Sequence, residues 1–391
     1  MTDPPLRVCY VVGYFYPLQS GAERQALEQG AELVRTGHTV HVVTRAVKGL
    51  ARDEIVRGIQ VHRWVRVHEH GPLFAISFVR GVMRALRALR GQIDVVHTHQ
   101  ALWEAVATGL ARGMIPGIPT LVQPASSGYF GEAEELRRTK GHTWLRRCIL
   151  RNDAFAAISA DIEDQWRALG VPAERMTRTG SGVDTERFRP GNDSSWKARL
   201  PARPRVLFTG RLHPQKNLDV LIRAWNLARE RIDATLVLAG EGELRAQLEA
   251  RLRDERLEGR VLLVGAVEDV ADFLHAGDVF VLPSVAEGMS NSLLEAMASG
   301  LPVIASDIGG NRDLVTNDVT GCLVDPHDAR GWAEAVVGLL ENPTRARGLG
   351  SSARAFVVEN YSLEQIVRRY VALYRTLPRR ARGDENESRV S

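Results

Sequence analysis

Residues 279–300 read VFVLPSVAEGMSNSLLEAMASG. Val279–Leu282 has the apolar, β-branched make-up of a short buried strand. From residue 291 the spacing changes to that of a helix, with Leu294, Met297 and Ala298 on one face and Asn291, Ser292, Glu295 and Ser299 on the other. The stretch is therefore one strand–turn–helix unit. Gly288, Met289 and Ser290 fall in the turn, where backbone N–H groups at a helix start can point at an anion. Ser292 and Glu295 also have the spacing of a capping box.

The same unit repeats in both directions. Strands are expected at Arg205–Thr209, Thr235–Ala239, Val261–Val264 and Val303–Ser306, with helical patterns between them. In the first half they are expected at Arg7–Val12, Thr39–Thr44, Gln60–Val65, Asp94–Thr98, Thr120–Gln123 and Ala154–Ile158. Helices are expected over Ala22–Arg35, ending at Gly37, and over Phe74–Arg90. Alternation of this kind predicts parallel α/β architecture. Phe188–Pro204 (FRPGNDSSWKARLPARP) breaks the alternation with Pro, Gly, Asn, Asp and Ser, and reads as an interdomain linker. Two doubly wound halves would place the carboxyl ends of their sheets across a cleft, where open α/β sheets bind ligands.

Composition agrees with a globular protein: of 391 residues, 44% are hydrophobic and 25% charged. The opening MTDPPLR does not read as a secretory signal, and the longest apolar run, Val8–Tyr16, is far short of the roughly 20 residues of a spanning helix. Cys9, Cys148 and Cys322 are too scattered for a metal site and fit a reducing compartment, so a cytoplasmic location is expected. Net charge is +4, unevenly placed. Residues 1–185 carry 23 Lys+Arg against 18 Asp+Glu, whereas 186–391 carry 28 against 29. A basic first half can meet an anionic acceptor or, through Phe74–Arg90 and Arg137–Arg151, an anionic bilayer surface. No G-x-G-x-x-G or Walker sequence supports NAD or ATP. No basic segment carries the interleaved aromatics of a nucleic-acid surface.

Around the opening stretch, Glu287 and Glu295 lie at the two ends of one turn-plus-helix feature. One carboxylate can meet a sugar and the other a vicinal diol such as ribose. Gly210–Asn217 (GRLHPQKN) follows a strand and precedes a helix, which puts Arg211 and Lys216 where a ligand's diphosphate would lie; Arg offers a planar fork and Lys a point charge. His97 and His99 end a strand; His99 is the candidate for touching an acceptor, and His97 reads as structural.

GRLHPQKN, AGEGELR (residues 239–245) and EGMSNSLLE (residues 287–295), in that order, resemble the family 4 glycosyltransferases of the GT-B fold. SGAERQALEQGAELVRTGHTVHVVT (20–44), DVVHTH (94–99) and SGVDTERFRP (181–190) resemble the same family, so the likeness spans about residues 6–376. It implies a GT-B enzyme: two Rossmann-like domains (1–187 on the acceptor side, 205–358 for the nucleotide sugar), joined by the linker at 188–204, with a helix over 359–377 crossing back to the first domain; the tail at 378–391, charged and without apolar anchors, is expected to be disordered. It implies transfer of a sugar from a nucleotide-diphosphate sugar, with retention at the anomeric carbon; a UDP-sugar is favoured over a GDP-sugar on general frequency alone, since no residue read in the sequence separates uracil from guanine. Arg211 and Lys216 would hold the diphosphate in place of a metal, so neither metal nor cofactor is expected. Glu287 would contact the donor sugar, Glu295 the ribose, and Gly288 to Asn291 phosphate and sugar. Gly21 and Ala22 would approach the β-phosphate, with Ala22 standing where the family usually has a second glycine. The base would stack near Gly240–Gly242 and Gly265–Val267.

Relatives often carry Thr-x-His after the strand at Leu121–Gln123. Here the sequence is Gln123-Pro124-Ala125-Ser126-Ser127, so Ala125, Ser126 and Ser127 are the acceptor-side candidates, and any histidine role there is lost or moved. The acceptor would be a glycan, a lipid-linked glycan or a small natural product. Two other readings compete: a sugar-nucleotide epimerase, and a non-catalytic partner subunit. The joint presence of Arg211, Lys216, Glu287 and Glu295 speaks against both.

Overall fold

The computed structural model describes residues 4–18, 20–68 and 71–379. The chain forms two compact units, Met1–Gly182 with Leu363–Ser391, and Val183–Ser362.

In the first unit the strands are β1 (Arg7–Val11), β2 (Thr39–Arg45), β3 (Asp53–Val56), β4 (Ile59–Val65), β5 (Val95–His99), β6 (Thr120–Gln123), β7 (Ala154–Ala157) and β8 (Met176–Arg178). Its helices are α1 (Gly21–Arg35), α2 (Pro72–Leu89), α3 (Trp103–Ala111), α4 (Glu132–Arg138), α5 (His142–Ile149) and α6 (Ala160–Ala168). The sheet order is β3-β4-β2-β1-β5-β6-β7-β8. All neighbours run parallel except β3 with β4. The β5 sequence VVHTH is wholly buried, as a strand covered on both faces must be. Cys9, Val11, Val96, Phe78, Val82, Leu86 and Ala107 share one core between the sheet, α2 and α3.

The second unit holds β9 (Arg205–Thr209), β10 (Thr235–Ala239), β11 (Val261–Gly265), β12 (Val279–Leu282), β13 (Val303–Ser306) and β14 (Cys322–Val324). Its helices are α7 (Leu218–Ala228), α8 (Arg245–Asp254), α9 (Val270–Leu274), α10 (Asn291–Ala298), α11 (Gly309–Arg312), α12 (Ala329–Glu341) and α13 (Pro343–Tyr361). The all-parallel order is β11-β10-β9-β12-β13-β14. On α7, Leu218, Leu221, Ile222 and Trp225 are buried at i, i+3, i+4 and i+7, the stripe that seats a helix on a sheet. The last helix, α14 (Leu363–Thr376), belongs to the first unit and packs on α1.

In each sheet the winding reverses once, between β1 and β5 and between β9 and β12. Crevices at the carboxyl ends of such strand pairs are where doubly wound sheets take ligands.

Three strands went unread in the sequence: β3 (DEIV), β8 (MTR) and β14 (CLV), of three or four residues each. Such pieces are too short to show a period. Phe188–Pro204, expected as an interdomain linker, falls within the second unit. Ser194 Oγ donates to the Asp272 carbonyl at 2.6 Å, Ser195 Oγ donates to the Asp272 carboxylate at 2.6 Å, and Trp196 sits edge-on to Phe273. The division falls at Gly182/Val183 and Ser362/Leu363, against the expected 187/188 and 358/359. Of the expected disordered tail, residues 380–391 lie outside the described residues.

Candidate functional site

The loop after β9 and the turn after β12 leave the two strands that flank the reversal in the second sheet, and they are joined to each other. The Gln215 carbonyl accepts the Val285 N–H at 2.9 Å, and Gln215 Nε2 donates to the Ala286 carbonyl at 2.8 Å. Asn217, in the left-handed region at φ 49°, closes the loop; its Nδ2 donates to the Pro283 and Pro326 carbonyls at 3.2 and 2.6 Å. Asparagine tolerates that conformation better than most residues. A 3-10 turn, Pro214–Lys216, precedes Asn217, and the Lys216 side chain at its end is only 12% exposed.

Lys216 Nζ pairs with Glu287 Oε1, and Ser284 Oγ donates to the same oxygen at 2.6 Å. Both ion-pair partners are largely buried. Ser284 was not singled out in the sequence; its position three residues before Glu287 across a tight turn was the available signal. Arg211, on the same loop as Lys216, is exposed and has no ion-pair partner among the described residues.

The turn then runs into α10. Gly288, Met289 and Ser290 are buried, Asn291 is half-buried, and Glu295 is buried on the second turn of the helix. The helix cap is Ser290, whose Oγ accepts the Leu293 N–H, and not the Ser292–Glu295 box read from the sequence. The helix starts one residue before Ser292, which leaves Ser292 Oγ to meet Ser290 Oγ at 3.1 Å. Gly310 backs the turn: a Cβ built there would lie 2.3 Å from the Glu287 carbonyl and 2.6 Å from that of Gly288. Only glycine permits this approach.

The glycines expected near the base adjoin the same loop. The Gly240 N–H donates to the Gly265 carbonyl at 2.7 Å, and the Leu212 N–H donates to the Glu241 carbonyl at 2.9 Å. Val267 is half-buried just beyond. The second unit thus gathers Lys216, Glu287 and Gly288 to Asn291, with Arg211 on the shared loop and Gly240 and Gly265 beside it. Two cations and a helix start can take a diphosphate, and the carboxylates can take hydroxyls.

The remaining candidates lie in the first unit. Gly21 and Ala22 open α1, whose cap is built from Ser20 and Glu23; the Ser20 N–H donates to Glu23 Oε2 at 2.9 Å. His99 is buried between Tyr10 and His97, with ring centroids 4.5 and 4.3 Å away, and neither ring nitrogen has a hydrogen-bond partner among the described residues. Burial pulls its pKa down to about 3, so the ring is neutral. His97 is structural: its Nδ1 meets Tyr374 Oη at 2.7 Å.

Ala125 and Ser126 are half-buried and Ser127 is buried. Glu132, not read from the sequence, reaches back to them, with Oε2 accepting both the Ala125 and the Ser126 N–H at 2.9 Å. Glu104, in the first turn of α3, is also buried, and a Cβ at Gly13 would lie 2.8 Å from its Oε1. Burial, with the like charges of Glu132, Glu23 and Glu135 nearby, raises its pKa to about 8.

Two family profiles match the chain, Glycosyltransferase Family 4 over residues 19–187 and Glycosyl transferases group 1 over residues 203–342. The chain is 31% identical to D-inositol 3-phosphate glycosyltransferase of Xylanimonas cellulosilytica, over 86% of this chain and 87% of that one. It is 28% identical to UDP-Gal:alpha-D-GlcNAc-diphosphoundecaprenol alpha-1,3-galactosyltransferase of Escherichia coli, over 95% and 97%. The structure of Anabaena HepE in complex with UDP superposes with a TM-score of 0.79 at 20% identity, covering 95% of this chain and all of that one. The family profiles agree with the loop and turn that flank the β9/β12 reversal, and the chain belongs to the family 4 glycosyltransferases, enzymes of the GT-B fold.

Proposed function

We propose that this glycosyltransferase takes a UDP-sugar and moves the sugar, with retention and without a metal, to a hydroxyl of a phosphate-bearing acceptor. The observation that carries the reading is the joint at the β9/β12 reversal. Lys216, ion-paired with Glu287, shares a loop with exposed Arg211, and that loop is hydrogen-bonded to the turn that leads into α10, whose N-terminus favours an anion.

On this reading Arg211, Lys216 and the N–H groups of Met289 and Ser290 bind the diphosphate and stabilise it as it leaves. Glu287 and Asn291 orient the sugar, and Glu295 receives the ribose. The bond from the anomeric carbon to the diphosphate oxygen breaks as the acceptor oxygen bonds to the same face, and the acceptor proton passes to the departing phosphate oxygen. The cationic sugar formed on the way needs no covalent carboxylate, and catalysis is largely electrostatic and positional.

The E. coli relative is named for a diphosphoundecaprenol-linked acceptor and the Xylanimonas relative for inositol 3-phosphate, both phosphorylated. The excess positive charge of residues 1–185 suits such an acceptor. We place the acceptor side in the first unit, at Ala125, Ser126 and Ser127, and the enzyme in the cytoplasm, where contact with the inner membrane face would bring it to lipid-linked acceptors. No described helix is long and apolar enough to cross a membrane.

The test is transfer from a panel of UDP- and GDP-sugars, in EDTA, to D-inositol 3-phosphate and to diphosphoundecaprenyl-linked GlcNAc, with NMR of the product. Product with the donor's anomeric configuration supports the reading. Inverted product, or transfer that requires Mg²⁺ or Mn²⁺, contradicts it.

A further inference from the structure

Glu132 is a buried carboxylate held, among the described residues, by neutral donors. Its Oε1 accepts the Ala101 N–H at 3.2 Å and the Ala125 N–H at 3.1 Å. Its Oε2 accepts the N–H groups of Ala125 and Ser126, both at 2.9 Å, and the Ser126 hydroxyl at 3.2 Å. No lysine or arginine pairs with it among the described residues, and the residue is only 7% exposed. Removing a carboxylate from water without a counter-charge is costly, and what it obtains in return is the geometry of two loops.

Those loops leave the carboxyl ends of neighbouring parallel strands, β5 and β6. They are tied a second time by the Gln100 N–H, which donates to the Gln123 carbonyl at 3.0 Å, with Gln100 itself in the left-handed region at φ 75°. Behind them, a Cβ at Gly131 would lie 2.7 Å from the Ser127 carbonyl carbon, so the loop folds back tightly onto the start of α4. The main chain of residues 125–126 is thus set from several sides, with Glu132 as the central acceptor.

We infer that Glu132 is a positioning residue for the acceptor: by receiving the Ala125, Ser126 and Ala101 N–H groups it fixes the main chain that meets a hydroxyl of the acceptor. This rests on the reading of Ala125 to Ser127 as the acceptor side. Aiming a carboxylate at these amides takes up their N–H groups and leaves the carbonyls of residues 125 and 126 as the main-chain groups that can meet a hydroxyl of the substrate. It also explains how a loop without the histidine common in relatives keeps a defined shape.

The full-length chain is compared with Glu132→Gln, which keeps the side-chain size but turns an amide donor toward N–H groups. Hydrogen exchange at the Ala101, Ala125 and Ser126 amides is expected to quicken by at least about tenfold. Exchange in α10 and the dissociation constant for UDP should stay within about twofold. With UDP-galactose as donor and D-inositol 3-phosphate as acceptor probe, kcat/KM for the acceptor should fall by about a hundredfold while KM for the donor holds. Exchange unchanged at the three amides overturns the inference; so does faster exchange with native kcat and KM for the acceptor. Glu132→Asp, which keeps the charge but withdraws the oxygens, gives the same exchange comparison if the glutamine variant does not fold. If the native chain neither binds UDP nor transfers to the probe, the donor reading fails, while the exchange rates still decide whether Glu132 fixes the main chain at residues 125–126.

Discussion

Lys216 and Glu287, 71 residues apart in sequence, are ion-paired with side chains only 12% and 9% exposed. The group assigned to the diphosphate and the group assigned to the sugar are therefore partners of one another, and each holds the other in place. Removing one member of such a pair leaves a poorly solvated charge, a loss of about 3 kcal/mol at the lower end of what buried pairs show. Lys216→Ala and Glu287→Gln should each destabilise the chain, and the double variant should lose less than the sum by about 1–3 kcal/mol in urea unfolding. Additive losses would show that the pair contributes nothing.

Arg211 behaves differently because it is exposed and unpaired among the described residues. Arg211→Ala should leave the melting temperature unchanged and weaken UDP binding by roughly 10- to 100-fold, the weight of one charge-assisted contact to phosphate. Calorimetric titration checks it. A variant that binds UDP as the native chain does removes Arg211 from the site.

Gly310 tests the turn from behind. With a Cβ 2.3 Å from the Glu287 carbonyl, Gly310→Ala must push Glu287 and Gly288 out of position. UDP affinity should drop by about tenfold or more, with a lower melting temperature, as a shift of about an ångström in a binding group commonly produces. Differential scanning fluorimetry with and without UDP reads both quantities.

Two buried groups give opposite pH dependences. Glu104 titrates at about 8 in the fold against 4.5 as its ordinary value, so the folded chain holds more protons than the unfolded one between those limits. Stability from this group is full below about 4.5 and declines as pH rises through about 8. Glu104→Gln should thus stabilise the chain at pH 8.5 and lose that advantage toward pH 5. His99 is depressed from 6.5 to about 3, so its contribution is present above 6.5 and disappears as pH falls toward 3. His99→Phe should flatten the acid limb in chemical unfolding from pH 7 to 4.

The sheet strands were legible in the sequence because a parallel sheet buries both faces and writes continuous apolar runs such as VLFT and LVLA. The same rule hid β3, whose Asp53 and Glu54 lie on an edge hydrogen-bonded on one side only. At the site, Arg211, Lys216, Glu287 and Asn291 stand out in the sequence because they sit in local strand–turn–helix patterns, and the structure joins the loop and the turn that carry them. Ser284 and Gly310 act by contacts across turns that no periodicity records. Glu132 was passed over as one of three glutamates in the run EAEE, since nothing local distinguishes the one that turns inward. His99 was placed at a strand end correctly, but a strand end does not reveal that Tyr10 and His97 cover the ring.

The claim on which the rest depends is that the C-terminal unit grips a nucleotide diphosphate with its own cations and the start of α10. Titration of UDP into the full-length chain in EDTA tests it most directly, with amide exchange at Met289 and Ser290 followed in parallel. The account predicts one UDP per chain without metal, with slower exchange at those two amides and weaker binding in Arg211→Ala. UDP that fails to bind, binds only with a divalent cation, or leaves the Met289 and Ser290 amides untouched would contradict it.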